Sequence, residues 1–274
     1  MPASPGVETP GWTDSRPADA GLPSVNNPLQ RGLDRLDRDL NPERIWNKNM
    51  AEELNRRERA IHWTKTTGVL PAIKLKSDED LIPFVRAMHA GGARVVEITM
   101  TTPGALRHFE AIAAEFQGEV LAAAGTVLDA TTARLAILAG ASVIVSPAVK
   151  PEVITTARRY GAACYSGAFT ATECLAAMEA GADMVKIFPA ALGGPKYMTN
   201  LKMVYPEVNL IPSGGISLEN AAEFIRCGAC AVSGARNFFD RELVNQQGLE
   251  WITEQVRKYI EIVAQAKAEG AELP

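Results

Sequence analysis

Lys186 is an ammonium set inside the short apolar run Met184-Val185-Lys186-Ile187-Phe188-Pro189. A lysine in a buried strand has to lose its proton, find an anionic partner or act as a nucleophile. Desolvation penalises its charged form, and the neutral amine can attack a ketone to give a Schiff base. Glu97 lies in an equally apolar run, Val95-Val96-Glu97-Ile98-Thr99-Met100, and is the candidate partner and proton carrier. Side chains alternate along a strand, so Lys186 shares a face with Phe188, and Glu97 with Thr99. A purely structural Lys–Glu pair is the alternative. Buried pairs add little net stability over apolar replacements, which weighs toward chemistry.

A second kind of chemistry is written in Ile211-Pro212-Ser213-Gly214-Gly215-Ile216-Ser217 and again in Val232-Ser233-Gly234-Ala235. Adjacent glycines let the backbone approach an anion closely, and free amides and hydroxyls can converge on it. Both segments read as phosphate cradles, the first opening a helix at Ser217-Leu218-Glu219-Asn220. Ala124-Gly125-Thr126-Val127 offers a hydroxyl beside a flexible glycine, and Val145-Ser146-Pro147-Ala148 reads as a shaping turn. Thr101-Thr102-Pro103-Gly104 reads as a helix start whose amides could hold a carboxylate. His62, His89 and His108 fall on expected helices and form no metal constellation.

These residues need a scaffold that brings distant strands together. From residue 69 the chain repeats an apolar strand, a turn and an alanine-rich amphipathic helix every 20 to 26 residues or so. Strands are expected at 69–74, 95–100, 120–125, 143–147, 163–167, 184–189, 210–215 and 229–234. Gly140, Gly161, Gly181 and Gly228 stand where left-handed helix caps are needed. The segment 196–205 is the weakest helix, and a long final helix carries Leu249, Ile252, Val256, Ile260 and Val263 on one face. Eight strand–helix units predict an α/β fold, a (β/α)₈ TIM barrel, with its active site at the C-terminal strand ends. Glu97, Gly125, Ser146, Lys186, Gly214 and Ser233 all fall at or near such ends. Before the barrel, a helix is expected from Asn41-Pro42-Glu43 through Trp46, Met50, Leu54 and Ile61. Residues 1–45 hold seven of the seventeen prolines and read as a flexible extension, leaving 46–274 as the barrel domain.

Composition removes other classes of function. The 274 residues carry a net charge of −4 with no block of like charge, which gives nucleic acid and anionic membrane no support as partners. No apolar run has the length of a membrane span, and Met1-Pro2-Ala3-Ser4-Pro5-Gly6 lacks the pattern of a signal peptide. A cytoplasmic location is the default expectation. The four cysteines suggest no disulfide framework, and Cys227-Gly228-Ala229-Cys230 reads as two small buried residues at a helix–strand turn.

Taken together, residues 46–268 resemble the 2-keto-3-deoxy-6-phosphogluconate / 4-hydroxy-2-oxoglutarate aldolase family. The resemblance rests on Gly91-Gly92-Ala93-Arg94-Val95-Val96-Glu97-Ile98-Thr99, Gly125-Thr126-Val127-Leu128, Ser146-Pro147, Val185-Lys186-Ile187-Phe188-Pro189-Ala190 and Pro212-Ser213-Gly214-Gly215-Ile216, in that order. It implies a homotrimeric class I aldolase without metal or other cofactor, acting on a small 2-oxo acid. By the same resemblance Lys186 is the Schiff-base lysine and Glu97 the general acid/base. Thr126 lies near the pyruvyl carboxylate, and Phe188 and Pro147 shape the pocket. Ser213, Gly214, Gly215, Ser233 and Gly234 bind phosphate. Lys74 stands where many relatives carry a basic residue, and Thr99 lies beside the glutamate. Thr101 stands where many members have an arginine that helps to hold the substrate carboxylate. On the residues alone, a sugar-phosphate isomerase or epimerase that needs no imine, and a barrel that senses a 2-oxo acid or sugar phosphate, stay open.

Overall fold

A computed structural model describes residues 54–270, so the proline-rich extension and most of the helix expected from residue 41 lie outside the described residues. The first helix, α1 (Arg56–Thr67), does not run through from that segment. Asn55 starts it, its side chain accepting from Glu58 N while Glu58 reaches back to the Asn55 amide. That reciprocal capping box breaks the helical backbone at Asn55, where the apolar spacing alone suggested continuity.

Strands and helices then alternate as β1 (Val69–Ile73), α2 (Ile82–Ala90), β2 (Val95–Thr99), α3 (Ala105–Phe116), β3 (Leu121–Gly125) and α4 (Ala130–Leu138). They continue as β4 (Val143–Ser146), α5 (Pro151–Arg159), β5 (Ala163–Ala168), α6 (Ala171–Glu179), β6 (Met184–Ile187) and α7 (Ala190–Val204). The last elements are β7 (Leu210–Pro212), α8 (Ala221–Arg226), β8 (Val232–Gly234), α9 (Arg241–Gln247) and α10 (Glu250–Glu269). All pairings are parallel, in the order β7-β6-β5-β4-β3-β2-β1-β8. Bridges Leu210↔Ala229 and Ser213↔Ser233 close the eight strands into a TIM barrel.

Alternation along each strand divides the apolar residues in two. Leu70, Val95, Leu121, Val143, Tyr165 and Ile211 fill the interior with Ala60 of α1, while Val96, Ile98, Ile144, Val185 and Ile187 pack outward against the helices. The interior residues that meet α1 belong mostly to the N-terminal parts of the strands, so α1 covers the end of the barrel opposite Lys186. Its anchors are polar. The Tyr165 hydroxyl is 2.8 Å from Thr64 Oγ1 and donates to Ala60 O. Arg57 grips Asp183 through Nη2 and Nε, and Asp183 also accepts from Cys164 N at 2.9 Å.

Gly140, Gly161, Gly181 and Gly228 follow their helices at positive φ, as expected. Three helices differ from expectation. The segment after β6 is helical from Ala190, with a break at Gly194 (φ 68°, ψ −178°) ahead of Pro195. Residues 217–220 form a turn, and α8 begins only at Ala221, because the Asn220 side chain accepts from Ser217 N and donates to Gly215 O. Likewise Thr101–Gly104 is a turn before α3, closed by Thr102 N donating to Thr99 O. The face of α10 is buried through Ile252, Val256, Tyr259, Val263 and Ala266; Ile260 only flanks it, and Leu249 precedes the helix and is exposed.

Candidate active site

The interior of a parallel barrel points successive side chains upward in layers. In register, Ala72 pairs with Glu97, Glu97 with Ala123, and Gly167 with Lys186. Ile211 is the other partner of Lys186, and the three small partners leave room for a long lysine and a glutamate to cross the layer. Lys186 Nζ lies 3.1 Å from Glu97 Oε2 and 3.4 Å from Oε1. The two side chains are only 12% and 3% exposed. Of the three fates open to a buried lysine, the structure supplies the partner. No other hydrogen-bond partner of the Glu97 carboxylate is found among the described residues.

Glycine makes this approach possible. A Cβ on Gly125 would fall 2.2 Å from Glu97 Oε1, and one on Gly167 would fall 2.2 Å from the Pro147 carbonyl carbon. The first clash would push the carboxylate off the lysine; the second would push β4 and β5 apart beside it. Thr126, next to Gly125, has φ 61°. A β-branched residue in the left-handed region is an outlier that costs about 1–3 kcal/mol. That strained residue faces the same cavity as the lysine and glutamate.

The cavity, of about 860 Å³, opens at the C-terminal strand ends. It brings together all twelve residues singled out from the sequence: Lys186 and Glu97; Lys74, Thr99, Thr126, Pro147 and Phe188; and Ser213, Gly214, Gly215, Ser233 and Gly234. Phe188 is 48% exposed and forms an apolar lip. Two other segments are placed differently. Ser146 turns away from the cavity and closes its own turn, donating to Ala148 O at 2.8 Å. Thr101 bonds to Thr99 Oγ1 at 3.1 Å and lines a separate shallow depression with Thr102 and Pro103.

One wall presents unpaired hydrogen-bond donors to the cavity. Gly214 and Gly215 take φ 82° and 85° in succession, left-handed values that only glycine adopts readily. Their amides donate to no acceptor among the described residues. Their carbonyls face away, Gly214 O accepting from Ala191 N and Gly215 O from Asn220 Nδ2. The close fit explains both glycines, since a Cβ on Gly215 would sit 2.4 Å from that of Ala191. Opposite, Ser233 is fully buried and its hydroxyl has no partner. Arg236, Asn237 and Asp240 also line this wall. Sequence reasoning passed over them, because nothing in Ala235-Arg236-Asn237-Phe238 signals that the chain turns back over the mouth.

An amine beside a carboxylate, at the base of a cavity with unpaired donors on its wall, can condense with a ketone, move protons and anchor a charged tail. Comparison with known proteins points the same way. The sequence profile of the KDPG and KHG aldolase family matches residues 61–255. A 2-dehydro-3-deoxy-phosphogluconate aldolase of Treponema pallidum is 40% identical over 57% of this chain and 75% of its own. A 2-dehydro-3-deoxy-6-phosphogalactonate aldolase of Escherichia coli is 33% identical over 64% and 85%. Among solved structures, the KDPG aldolase of Legionella pneumophila superposes with a TM-score of 0.66 at 28% identity, covering 72% of this chain and 96% of that one. It holds pyruvate as a covalent carbinolamine intermediate.

Proposed function

The chain belongs to the KDPG and KHG aldolase family, and from that premise we propose that Lys186 is its Schiff-base nucleophile and Glu97 the general acid/base beside it. The protein is an aldehyde-lyase. It cleaves a 2-oxo-4-hydroxy acid, 2-keto-3-deoxy-6-phosphogluconate, to pyruvate and glyceraldehyde 3-phosphate, and 4-hydroxy-2-oxoglutarate to pyruvate and glyoxylate. The observation that carries the residue assignment is the 3.1 Å approach of Lys186 Nζ to Glu97 Oε2 at the base of the cavity.

Lys186 passes a proton to Glu97 and attacks the C2 ketone as the neutral amine. Glu97 then protonates the carbinolamine hydroxyl, water leaves, and an iminium forms on Lys186. With its carboxylate restored, Glu97 takes the proton of the C4 hydroxyl. The C3–C4 bond breaks, its electron pair enters the iminium, and the aldehyde departs. Glu97 returns the proton to C3 of the enamine, and hydrolysis frees pyruvate and Lys186. Glu97 serves every proton transfer without moving far, because both its oxygens lie within 3.4 Å of Nζ.

The remaining residues divide between the two halves of the substrate. Lys74, Thr99 and Thr126 receive the pyruvyl carboxylate, and Pro147 and Phe188 cover the apolar carbon skeleton. Ser213, Gly214, Gly215, Ser233 and Gly234 receive the terminal phosphate. The enzyme acts as a homotrimer in the cytoplasm, a reading supported by its free cysteines and by exposed apolar residues such as Leu192, Met203 and Val204 on α7. Light scattering at micromolar concentration gives three chain masses if the trimer is right.

The deciding experiment is borohydride reduction in the presence of pyruvate, followed by peptide mass spectrometry. A reduced adduct on Lys186, lost in Lys186→Ala together with turnover, is the expected result. An adduct on another lysine, or substantial residual activity in Lys186→Ala, would sink the assignment.

A further inference from the structure

Arg236 and Asp240 line the cavity beside the Ser233-Gly234 loop. Asp240 is held rigidly. Its Oδ1 accepts from Glu242 N at 3.0 Å and from Leu243 N at 3.3 Å as the cap of α9, and its Oδ2 accepts from Arg236 Nε at 3.1 Å. The amide of Leu243 and the Arg236 guanidinium hold its carboxyl below the ordinary carboxylate range, so it is an anion at neutral pH. An uncompensated anion on this wall would repel a phosphate from the cradle, and Arg236 compensates it.

Only the Nε edge of Arg236 is engaged. Its terminal Nη groups have no partner among the described residues, and the side chain is 89% exposed on the cavity rim. Nearby, the Ser233 hydroxyl is a buried donor without a partner, and Asn237 lines the same wall. A planar guanidinium with a free edge matches phosphate oxygens two at a time, which lysine cannot do. We infer that Arg236, positioned by Asp240, is a specificity residue that reads the doubly charged terminal phosphate on the aldehyde half of the substrate. The inference rests on the aldolase reading above.

The test compares condensation of pyruvate with glyceraldehyde 3-phosphate and with unphosphorylated glyceraldehyde, in wild type, Arg236→Ala and Arg236→Lys. Arg236→Ala should raise KM for the phosphorylated aldehyde roughly 10- to 100-fold, with kcat and the unphosphorylated reaction nearly unchanged. Lysine should recover part of the loss. Equal losses on both aldehydes, or none on either, overturn the inference, as does a pyruvate adduct lost only in the alanine variant. Calorimetric titration with inorganic phosphate reads the residue without turnover. Weaker binding to Arg236→Ala supports the inference, and equal binding overturns it. Failure of the wild-type protein to trap pyruvate would instead defeat the aldolase reading, leaving the phosphate titration to judge Arg236.

Discussion

At the scale of single residues, the site depends as much on absent atoms as on present ones. Glu97 reaches Lys186 across a space that a methyl group on Gly125 would occupy. Gly125→Ala should therefore displace the carboxylate and lower kcat by at least about tenfold while the protein still folds, since general acid–base catalysis contributes roughly 10² to 10⁴. Steady-state kinetics beside circular dichroism would check it, and unchanged kcat would contradict the geometry. Glu97→Gln should cost about 10² to 10⁴ in kcat, and adduct trapping on Lys186 should slow with it. The thiols offer a contrast. Burial pushes Cys164 up to about 12 and Cys174 and Cys230 up to about 11. These groups stay protonated at pH 8 and should resist iodoacetamide until denaturant exposes them. Of the CxxC pair, expected from the sequence as two small buried residues, Cys227 is buried and Cys230 only half-buried at the glycine turn.

At the scale of elements, the N-terminal ends of the strands carry stability and the C-terminal ends carry the chemistry. α1 is tied to the closed end through Tyr165, Thr64, Arg57 and Asp183. Tyr165→Phe should cost about 1 kcal/mol by leaving the buried Thr64 hydroxyl a partner short. Asp183→Asn should cost about 1.5–3 kcal/mol, because both the arginine and the Cys164 amide lose a charged acceptor. Urea unfolding monitored at equilibrium measures both, and kcat of the folded protein should not change in either. Strand positions were legible because runs such as Val69 to Ile73 are apolar throughout, as buried parallel strands require. Helix starts were less so. Asn55, Gly194 and Asn220 each interrupt an apolar spacing that runs past them, and a side-chain bond or a backbone turn, invisible to periodicity, decides where the helix begins.

At the scale of the molecule, barrel closure converts order along the chain into adjacency in space. Residues 89 positions apart form one ion pair, and the loops after β7 and β8 meet only because Ser213 and Ser233 bridge the first and last edges of the sheet. The sequence by itself determined the repeated strand–helix unit, the burial of Lys186 and Glu97, and the glycine pairs that an anion cradle needs. Composition and two-residue alternation are local properties, and a barrel follows from repeating them eight times. Tertiary structure alone decided three things: that Glu97 meets Lys186 across the space left by Gly125, that Thr126 holds a positive φ, and that Arg236 and Asp240 turn onto the cavity wall. Each depends on the register between strands and the path of a loop, and these are set by the packing of all eight units at once rather than by any residue's neighbours in the chain.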